Sequence, residues 1–283
     1  MKRVLLALFF VAIFSINAIS CVKITTTTFI LSSIVKQIGK EFVDVSYLIP
    51  NGSNPHIFSP KPKSLVKLSK SDMFVGVGYG FEFWLDRIKY MLKDKDVLMM
   101  SDLYKTPLDK AVVNGKVVAN PHIWLDMDFV GNEFVFALSD RLCRLDSLHC
   151  SYFKKNAKEF SRNVEDIKNS YINEFDKLKG YCFLDIKPAL EYLLKSAQVK
   201  SCYVLIKKGN KEPKIRDMIE AVKHCQCKKG FVLYINNLQL AKTMSNKLNF
   251  TAVEMNPLGD VKNINSYQKL LIYNLHQIKQ AVK

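Results

Sequence analysis

Two kinds of hydrophobic pattern alternate along the chain. Short apolar stretches rich in β-branched residues predict strands at 22–27, 43–49, 73–77, 182–186, 202–206, 230–235 and 252–255. Segments whose apolar residues recur every three or four positions predict helices at 29–40, 62–70, 82–92, 189–197, 215–224, 238–248 and 264–282. Such alternation is typical of α/β domains with parallel sheets, and its recurrence after residue 180 predicts two α/β lobes.

One longer pattern separates the two series. The stretch 152–179 contains no proline or glycine, and its larger apolar residues, such as Phe160, Val164 and Ile167, are spaced by three or four. This spacing predicts one long amphipathic helix. Because it lies between two strand–helix series, we interpret it as a rigid connector and not as a surface helix within one domain. The predicted organisation is an N-terminal α/β lobe at 21–150, a connecting helix at 151–180 and a C-terminal α/β lobe at 181–283.

The first twenty residues have the pattern of an export signal. Lys2 and Arg3 precede an apolar run at 4–16, and small residues precede Cys21. The run is shorter than the ~20 residues that a membrane-spanning helix needs. We therefore predict a signal peptide at 1–20, cleavage after Ser20 and a periplasmic protein. Cys21 leaves a lipoprotein anchor open, but a strand pattern begins at once without a flexible tether, which favours the soluble form.

The basic charge does not indicate a nucleic-acid partner. The 283 residues carry a formal net charge of +16 and are 48% hydrophobic, as expected for a globular protein. Basic side chains are spread over every segment, without the aromatic-interleaved stripe of a nucleic-acid interface. We attribute the charge to surface solvation and expect no nucleic acid.

Six cysteines follow Cys21, which suits disulfide bonds in an oxidising compartment. Cys143 and Cys150 flank a short break between two helical patterns and form the best local pair. Cys225 and Cys227 are too close to bridge each other easily. The chain contains no CxxC pair, which argues against a zinc ribbon. The remaining alternative is that some cysteines are small buried residues at strand ends, namely Cys182, Cys202 and one of the pair 225 and 227.

The candidate chemistry lies in two Asn-Pro-His sequences, at 54–56 and 120–122. Proline restricts the backbone, so His56 and His122 should project from stiff loops. Neutral imidazole is the commonest metal ligand, and two on rigid supports suit a divalent first-row ion. The alternative is that both are structural histidines. The sequence contains no nucleophile elbow, HExxH or P-loop, which disfavours an enzyme and makes a hydrolytic metalloenzyme the weakest hypothesis.

With these motifs the chain resembles the metal-specific solute-binding proteins of zinc, manganese and iron ABC transporters, over essentially all of the sequence after the signal peptide. The similar stretches are 49–56, 59–68, 71–85 and 120–126. The resemblance implies two Rossmann-like lobes joined by a rigid helix, with a transition-metal ion bound in the cleft as the transported ligand. It also implies delivery to a membrane permease, and we expect a monomer.

The resemblance makes His56 and His122 the first two metal ligands. The family's third ligand, a histidine, corresponds to Lys187, and its Asp-Pro-Leu-Gly carboxylate corresponds to Asn256. Both C-terminal ligand positions are therefore altered. A protonated lysine places positive charge where a cation should bind, and asparagine lacks the carboxylate charge.

Three outcomes fit these changes. The Lys187 ammonium occupies the place of the ion, or Lys187 turns away and Glu254, Asp185, Asp260 or water complete the site with the two histidines, or the cleft takes an anionic or chelated ligand. The segment between 99 and 120 contains no histidine-rich loop, which favours manganese, iron, or zinc without such a loop.

We predict an extracytoplasmic binding protein of an ABC importer for zinc, manganese or iron, with a modified site. The alternative, motivated by the altered ligands and by Cys21, is an adhesin-like surface protein on the same scaffold that no longer binds metal in the usual way.

Overall fold

The computed structural model of the protein describes residues 21–50, 52–113, 116–204, 214–259 and 263–281. The predicted signal peptide at 1–20 lies outside these residues. The described strands are β1 Val22–Thr26, β2 Val43–Tyr47, β3 Met73–Gly76, β4 Asp96–Met99, β5 Asp109–Val113, β6 Lys116–Ala119, β7 Tyr181–Asp185, β8 Ser201–Tyr203, β9 Lys229–Tyr234 and β10 Thr251–Glu254. The described α-helices are α1 Phe29–Gly39, α2 Pro62–Ser69, α3 Leu85–Ile88, α4 Met100–Leu103, α5 Met127–Phe129, α6 Val135–Leu145, α7 Cys150–Phe175, α8 Glu191–Ser196, α9 Ile215–His224, α10 Leu238–Leu248 and α11 Tyr267–Ala281.

Two parallel four-stranded sheets confirm the predicted α/β fold. Their strand orders are β2-β1-β3-β4 and β10-β9-β7-β8, and β5 pairs with β6 in a separate antiparallel hairpin. In each sheet the chain places its second strand on one side of the first and its third strand on the other. Parallel sheets of this kind bind ligands beyond the carboxyl ends of the strands, at the point where the order reverses. The segments that follow the carboxyl ends of the strands in the two sheets are therefore the places to look for a site.

The predicted long helix is α7, which spans 26 residues and joins the two sheets. The largest apolar cluster contains residues of both sheets together with α1, α7 and α11. Phe160 of α7 stacks on Tyr267 of α11 with ring centroids 5.6 Å apart, and Tyr267 donates its backbone N–H to Ser33 of α1 at 3.1 Å. The C-terminal helix thus packs against helices of the N-terminal half, which ties the two halves together. The domain boundaries at 150 and 180 stay predictions.

The structure differs from the predicted helix at 82–92. Here α3 begins only at Leu85, and a 3-10 turn follows it at Lys89–Leu92. The cause is Glu82, whose buried carboxylate accepts hydrogen bonds from the Thr27 hydroxyl and from the backbone N–H groups of Val77 and Gly78, at 2.7 to 2.8 Å. Burial raises the pKa of Glu82, and these donors oppose the shift. Its carboxylate therefore joins the ends of β1 and β3 instead of facing solvent on a helix.

Three disulfide bonds are present among the described residues. The Cys143–Cys150 bond confirms the predicted local pair. Cys182 bonds to Cys227 and Cys202 to Cys225, so these four are not separate packing residues. None of the described helices combines the length and apolar character needed to cross a membrane.

A pair of buried acidic residues lies at the start of the second half. Asp185 ends β7, and Glu191 begins α8; their exposed fractions are 1% and 3%. Burial, followed by the charge of Glu191, raises the pKa of Asp185. Burial raises the pKa of Glu191 from 4.5 to about 7, although the Ser201 hydroxyl donates a hydrogen bond to it. Ionised Glu191 is thus unfavourable in the folded state.

The stability of the Glu191→Gln variant should fall less with rising pH than the stability of the wild type. Unfolded chain ionises Glu191 near pH 4.5 and folded chain near 7, so the folded state binds more protons in between and loses stability as the pH rises through that window. Between pH 5 and 8 the wild type should lose about 2 kcal/mol more unfolding free energy than Glu191→Gln, measured by denaturant titration. Glu220→Gln, at an exposed position of α9, is the matched control and should follow the wild type. Parallel pH profiles for all three proteins would contradict the assignment.

Candidate metal-binding site

His56 lies on a short, braced loop after β2. Pro55 begins a 3-10 turn at Pro55–Ile57, and the side-chain oxygen of Asn54 accepts the backbone N–H of His56 at 3.0 Å. Pro55 is buried and His56 half-buried. The Asn-Pro pair therefore does what the sequence predicts, because it fixes the backbone directly before the imidazole.

His122 is held still more firmly, through Asn120. It is 6% exposed, and Asn120 Oδ1 lies 2.6 Å from its Nδ1 and accepts its backbone N–H at 3.1 Å. The amide nitrogen of Asn120 donates to the backbone oxygen of Pro188 at 2.6 Å, which fixes the orientation of the amide. Since Oδ1 can only accept, neutral His122 carries its proton on Nδ1 and its lone pair on Nε2. This is the tautomer that a metal ligand needs, and the support is of the kind found around metal-bound histidines.

The structure brings the two predicted histidines together. Their ring centroids lie 5.9 Å apart with the ring planes at 66°. Two imidazoles that share one ion at metal–nitrogen distances of 2.0–2.1 Å have centroids roughly 5–6 Å apart. The ring centroid of Phe81 lies 6.2 Å from that of His56, and the ring centroid of Trp124 lies 5.1 Å from that of His122. The rings of Phe81 and Trp124 also pack on each other. An apolar wall thus limits the directions in which the imidazoles can turn.

The far end of the His122 loop is anchored by Asp126. Its Oδ2 accepts the Tyr104 hydroxyl at 2.7 Å, and its Oδ1 caps α5 by accepting the Phe129 N–H at 3.1 Å. Lys195 of α8 lies 3.8 Å from Oδ2. Burial, together with the hydrogen bond to Asp126, raises the pKa of Tyr104, so this phenol stays protonated as a donor. Both ends of the loop are therefore bound to residues outside it.

Asn256, at the fourth family position, follows β10 in a tight turn. Its Oδ1 accepts the backbone N–H groups of Leu258 and Gly259 at 3.0 and 2.9 Å. Asn274 of α11, which is fully buried, bonds both the N–H and the carbonyl of Asn256 at 2.8 and 2.7 Å. The neighbouring carbonyl of Pro257 accepts the Trp124 indole N–H at 2.8 Å, which joins this turn to the His122 loop. The amide oxygen of Asn256 is thus committed to its own turn.

Lys187, at the third position, follows β7. Its backbone N–H donates to Asp185 Oδ1 at 3.2 Å, and its side chain is exposed. Asp185 Oδ2 accepts two further N–H groups, from Ala189 and Leu190, at 3.0 and 2.8 Å. Asp185 is one of the candidate substitute ligands, but both of its carboxylate oxygens already accept backbone N–H groups of this loop. Glu254, another candidate, is the exposed last residue of β10, and the third candidate, Asp260, lies outside the described residues.

The supporting residues Trp124 and Asn274 were not predicted from the sequence. For Asn120 the sequence does hold a signal, because an amide two residues before a candidate ligand can support its imidazole. Asn274 gives a weaker signal, a polar residue on the buried face of an apolar helix.

Comparisons with known proteins bear on the family and the fold. The family model described as "Zinc-uptake complex component A periplasmic" matches residues 24–281. The manganese ABC transporter substrate-binding lipoprotein PsaA of Streptococcus pneumoniae is 24% identical, over 92% of this chain and 89% of the relative.

Two solved structures share the fold. The manganese-bound periplasmic metal-binding protein of Candidatus Liberibacter asiaticus superposes with a TM-score of 0.77 at 19% identity, covering 92% of this chain and 99% of the other. A mutant of the laminin-binding adhesin Lmb of Streptococcus agalactiae gives a TM-score of 0.75 at 23% identity, with the same coverage of both chains. These similarities confirm the two-lobed α/β architecture. Because the family model covers nearly all of the described sequence, this chain belongs to the family of ZnuA, the periplasmic component A of the zinc-uptake complex.

Proposed function

We propose that this chain binds a divalent transition-metal ion, zinc, manganese or iron, outside the cytoplasm and delivers it to the membrane permease of an ABC importer. The observation that carries the proposal is the pairing of His56 and His122, with ring centroids 5.9 Å apart and the His122 tautomer set by Asn120. We expect the chain to act as a monomer. The adhesin alternative has no comparable support, since the similarity to Lmb concerns the fold alone.

The two altered positions weaken the site without removing it. His56 and His122 supply two neutral nitrogen donors, whereas Lys187 and Asn256 bring no negative charge. An ammonium in the place of the ion would be enclosed in the cleft, and the Lys187 side chain is exposed. We therefore favour a site in which Lys187 turns outward and water or Glu254 completes the coordination of the ion. The carboxylate of Asp185 is less suited, because three backbone N–H groups already occupy it.

The double variant Lys187→His/Asn256→Asp should bind zinc roughly 100-fold more tightly than the wild type. It adds an imidazole donor at position 187 and a carboxylate at position 256, and the carboxylate charge alone is worth about 2 kcal/mol in water for a divalent ion at about 5 Å. An aspartate can keep the two turn hydrogen bonds of Asn256 through one oxygen and offer the other to the ion. Calorimetry on the metal-stripped exported chain, with zinc, manganese and iron(II), measures the change.

The control Lys247→His/Asn246→Asp makes the same charge change on the exposed face of α10 and should leave affinity unaltered. Equal gains in both double variants would show a general charge effect and would remove residues 187 and 256 from the site. Unchanged zinc affinity in His56→Ala/His122→Ala would overturn the proposed function itself.

Removing the support of His122 should weaken binding about 10- to 100-fold, the usual cost of losing such a partner. The variant is Asn120→Ala, which frees the His122 ring and its tautomer. Because Asn120 is buried, thermal unfolding of both proteins is measured as well. Metal affinity is then compared at a temperature at which both are folded. In a His122→Ala background the same change should cost little further affinity, since its effect passes through the imidazole. Equal losses in both backgrounds would mean that Asn120 acts on the fold and not on the ligand.

A further inference from the structure

Four cysteines of the second half lie together at the β8 side of the sheet. Cys182 belongs to β7 and Cys202 to β8, while Cys225 and Cys227 lie between α9 and β9. They form the bonds Cys182–Cys227 and Cys202–Cys225, and the Sγ atoms of Cys202 and Cys227, which belong to different bonds, are 3.7 Å apart. The Sγ atoms of Cys182, Cys202 and Cys227 all lie within 4.8 Å of one another. We call these four residues the cysteine cluster.

The spacing of Cys182, Cys202 and Cys227 suits three corners of a tetrahedral metal site, and its bond to Cys202 holds Cys225 beside them. With metal–sulfur distances of about 2.3 Å, neighbouring sulfurs of a zinc tetrathiolate are about 3.8 Å apart. The contact between the two bonds already has this length. Cys182 and Cys202 are 2% exposed and lie on adjacent paired strands, so reduction would leave their sulfurs close together. The two bonded pairs would have to separate by about 1.8 Å, and Cys225 would have to come within the same spacing of the Cys182 and Cys227 sulfurs.

The surroundings supply the charge that such a site requires. Zinc bound by four thiolates carries two net negative charges, and nearby cations lower the pKa of cysteine thiols. Lysines at 200, 223, 228 and 229 lie within two residues of the cluster, and all four are exposed. Lys200 Nζ donates to the carbonyl of Cys225 at 2.6 Å, which places one of these charges directly beside the cluster.

We propose that the reduced cysteine cluster binds one thiophilic divalent ion of the zinc type through four thiolates. Two equivalents of a dithiol reduce the two disulfides to four thiols and become two disulfides themselves. Binding of the ion then releases four protons and forms four metal–sulfur bonds. The redox state of this lobe thus decides whether it holds two covalent bridges or one ion.

This site is separate from the cleft. Cys182 is the second residue of β7, and Asp185, beside Lys187, is the last. Three residues of a strand span about 10 Å, so the cysteine cluster lies towards the opposite end of the strand from the histidine site. Binding at the cluster is therefore independent of His56 and His122.

Cobalt(II) is the probe, because its thiolate charge-transfer and visible bands distinguish four sulfur ligands from nitrogen ligands. The exported chain is reduced with dithiothreitol under anaerobic conditions, desalted and titrated. We expect one equivalent of cobalt with the tetrathiolate spectrum, displaced by zinc and missing from the oxidised protein. The His56→Ala/His122→Ala variant should give the same spectrum, so this result is independent of the proposed transport function.

The variant Cys182→Ser/Cys202→Ser should lose the spectrum, and Cys143→Ser/Cys150→Ser, which removes the other disulfide, should keep it. Thiol counting needs no variant: zinc should protect four of the seven cysteines of the reduced chain from a thiol reagent. A reduced wild type without the cobalt–thiolate band, or one in which zinc protects no thiols, would overturn the proposal.

Discussion

The amide of Asn120 is the contact on which the site depends most. It accepts from the His122 ring and donates to the carbonyl of Pro188, next to Lys187. One side chain thus sets the tautomer of His122, the candidate ligand from the first half, and links it to the loop that carries Lys187. Tyr192 strengthens the link, because its hydroxyl donates to the Asn120 carbonyl at 2.8 Å and accepts from Leu108 N–H at 2.9 Å. The same contacts that orient the His122 ring therefore also hold the two halves together.

The frame around this contact is stiff for a physical reason. Both sheets share one apolar cluster with α7 and α11, and burial of that cluster opposes any wide separation of the halves. Polar links act in the same sense: Lys279 of α11 pairs with Glu174 of α7 at 2.6 Å, and Trp124 bonds the turn after β10. Motions that admit or release an ion should accordingly involve the short loops more than the lobes.

The sequence predicts those parts of the fold that depend on local pattern. Alternating strands and helices, the long helix, the Cys143–Cys150 bond and the two histidine loops all follow from periodicity or from proline. The helix at 82–92 is mostly wrong because a buried role for Glu82 depends on β1, which is distant in sequence. The β5–β6 hairpin was missed, although Asn114-Gly115 between valine pairs is a turn signal. Long-range pairings, such as those of the cysteine cluster, leave no periodic trace.

The atoms available to bind an ion say more about which metal this chain prefers than the fold does. The relatives include a manganese ABC transporter substrate-binding lipoprotein, whereas the matching family model is described as a zinc-uptake component. Imidazole nitrogen suits zinc, whereas manganese is better served by carboxylate oxygens. In this chain the two histidines are held in place, the amide oxygen of Asn256 is committed to its turn, and Asp185 is occupied by backbone N–H groups. A site that keeps its two imidazole nitrogens but has no carboxylate dedicated to the ion should lose affinity for manganese before it loses affinity for zinc.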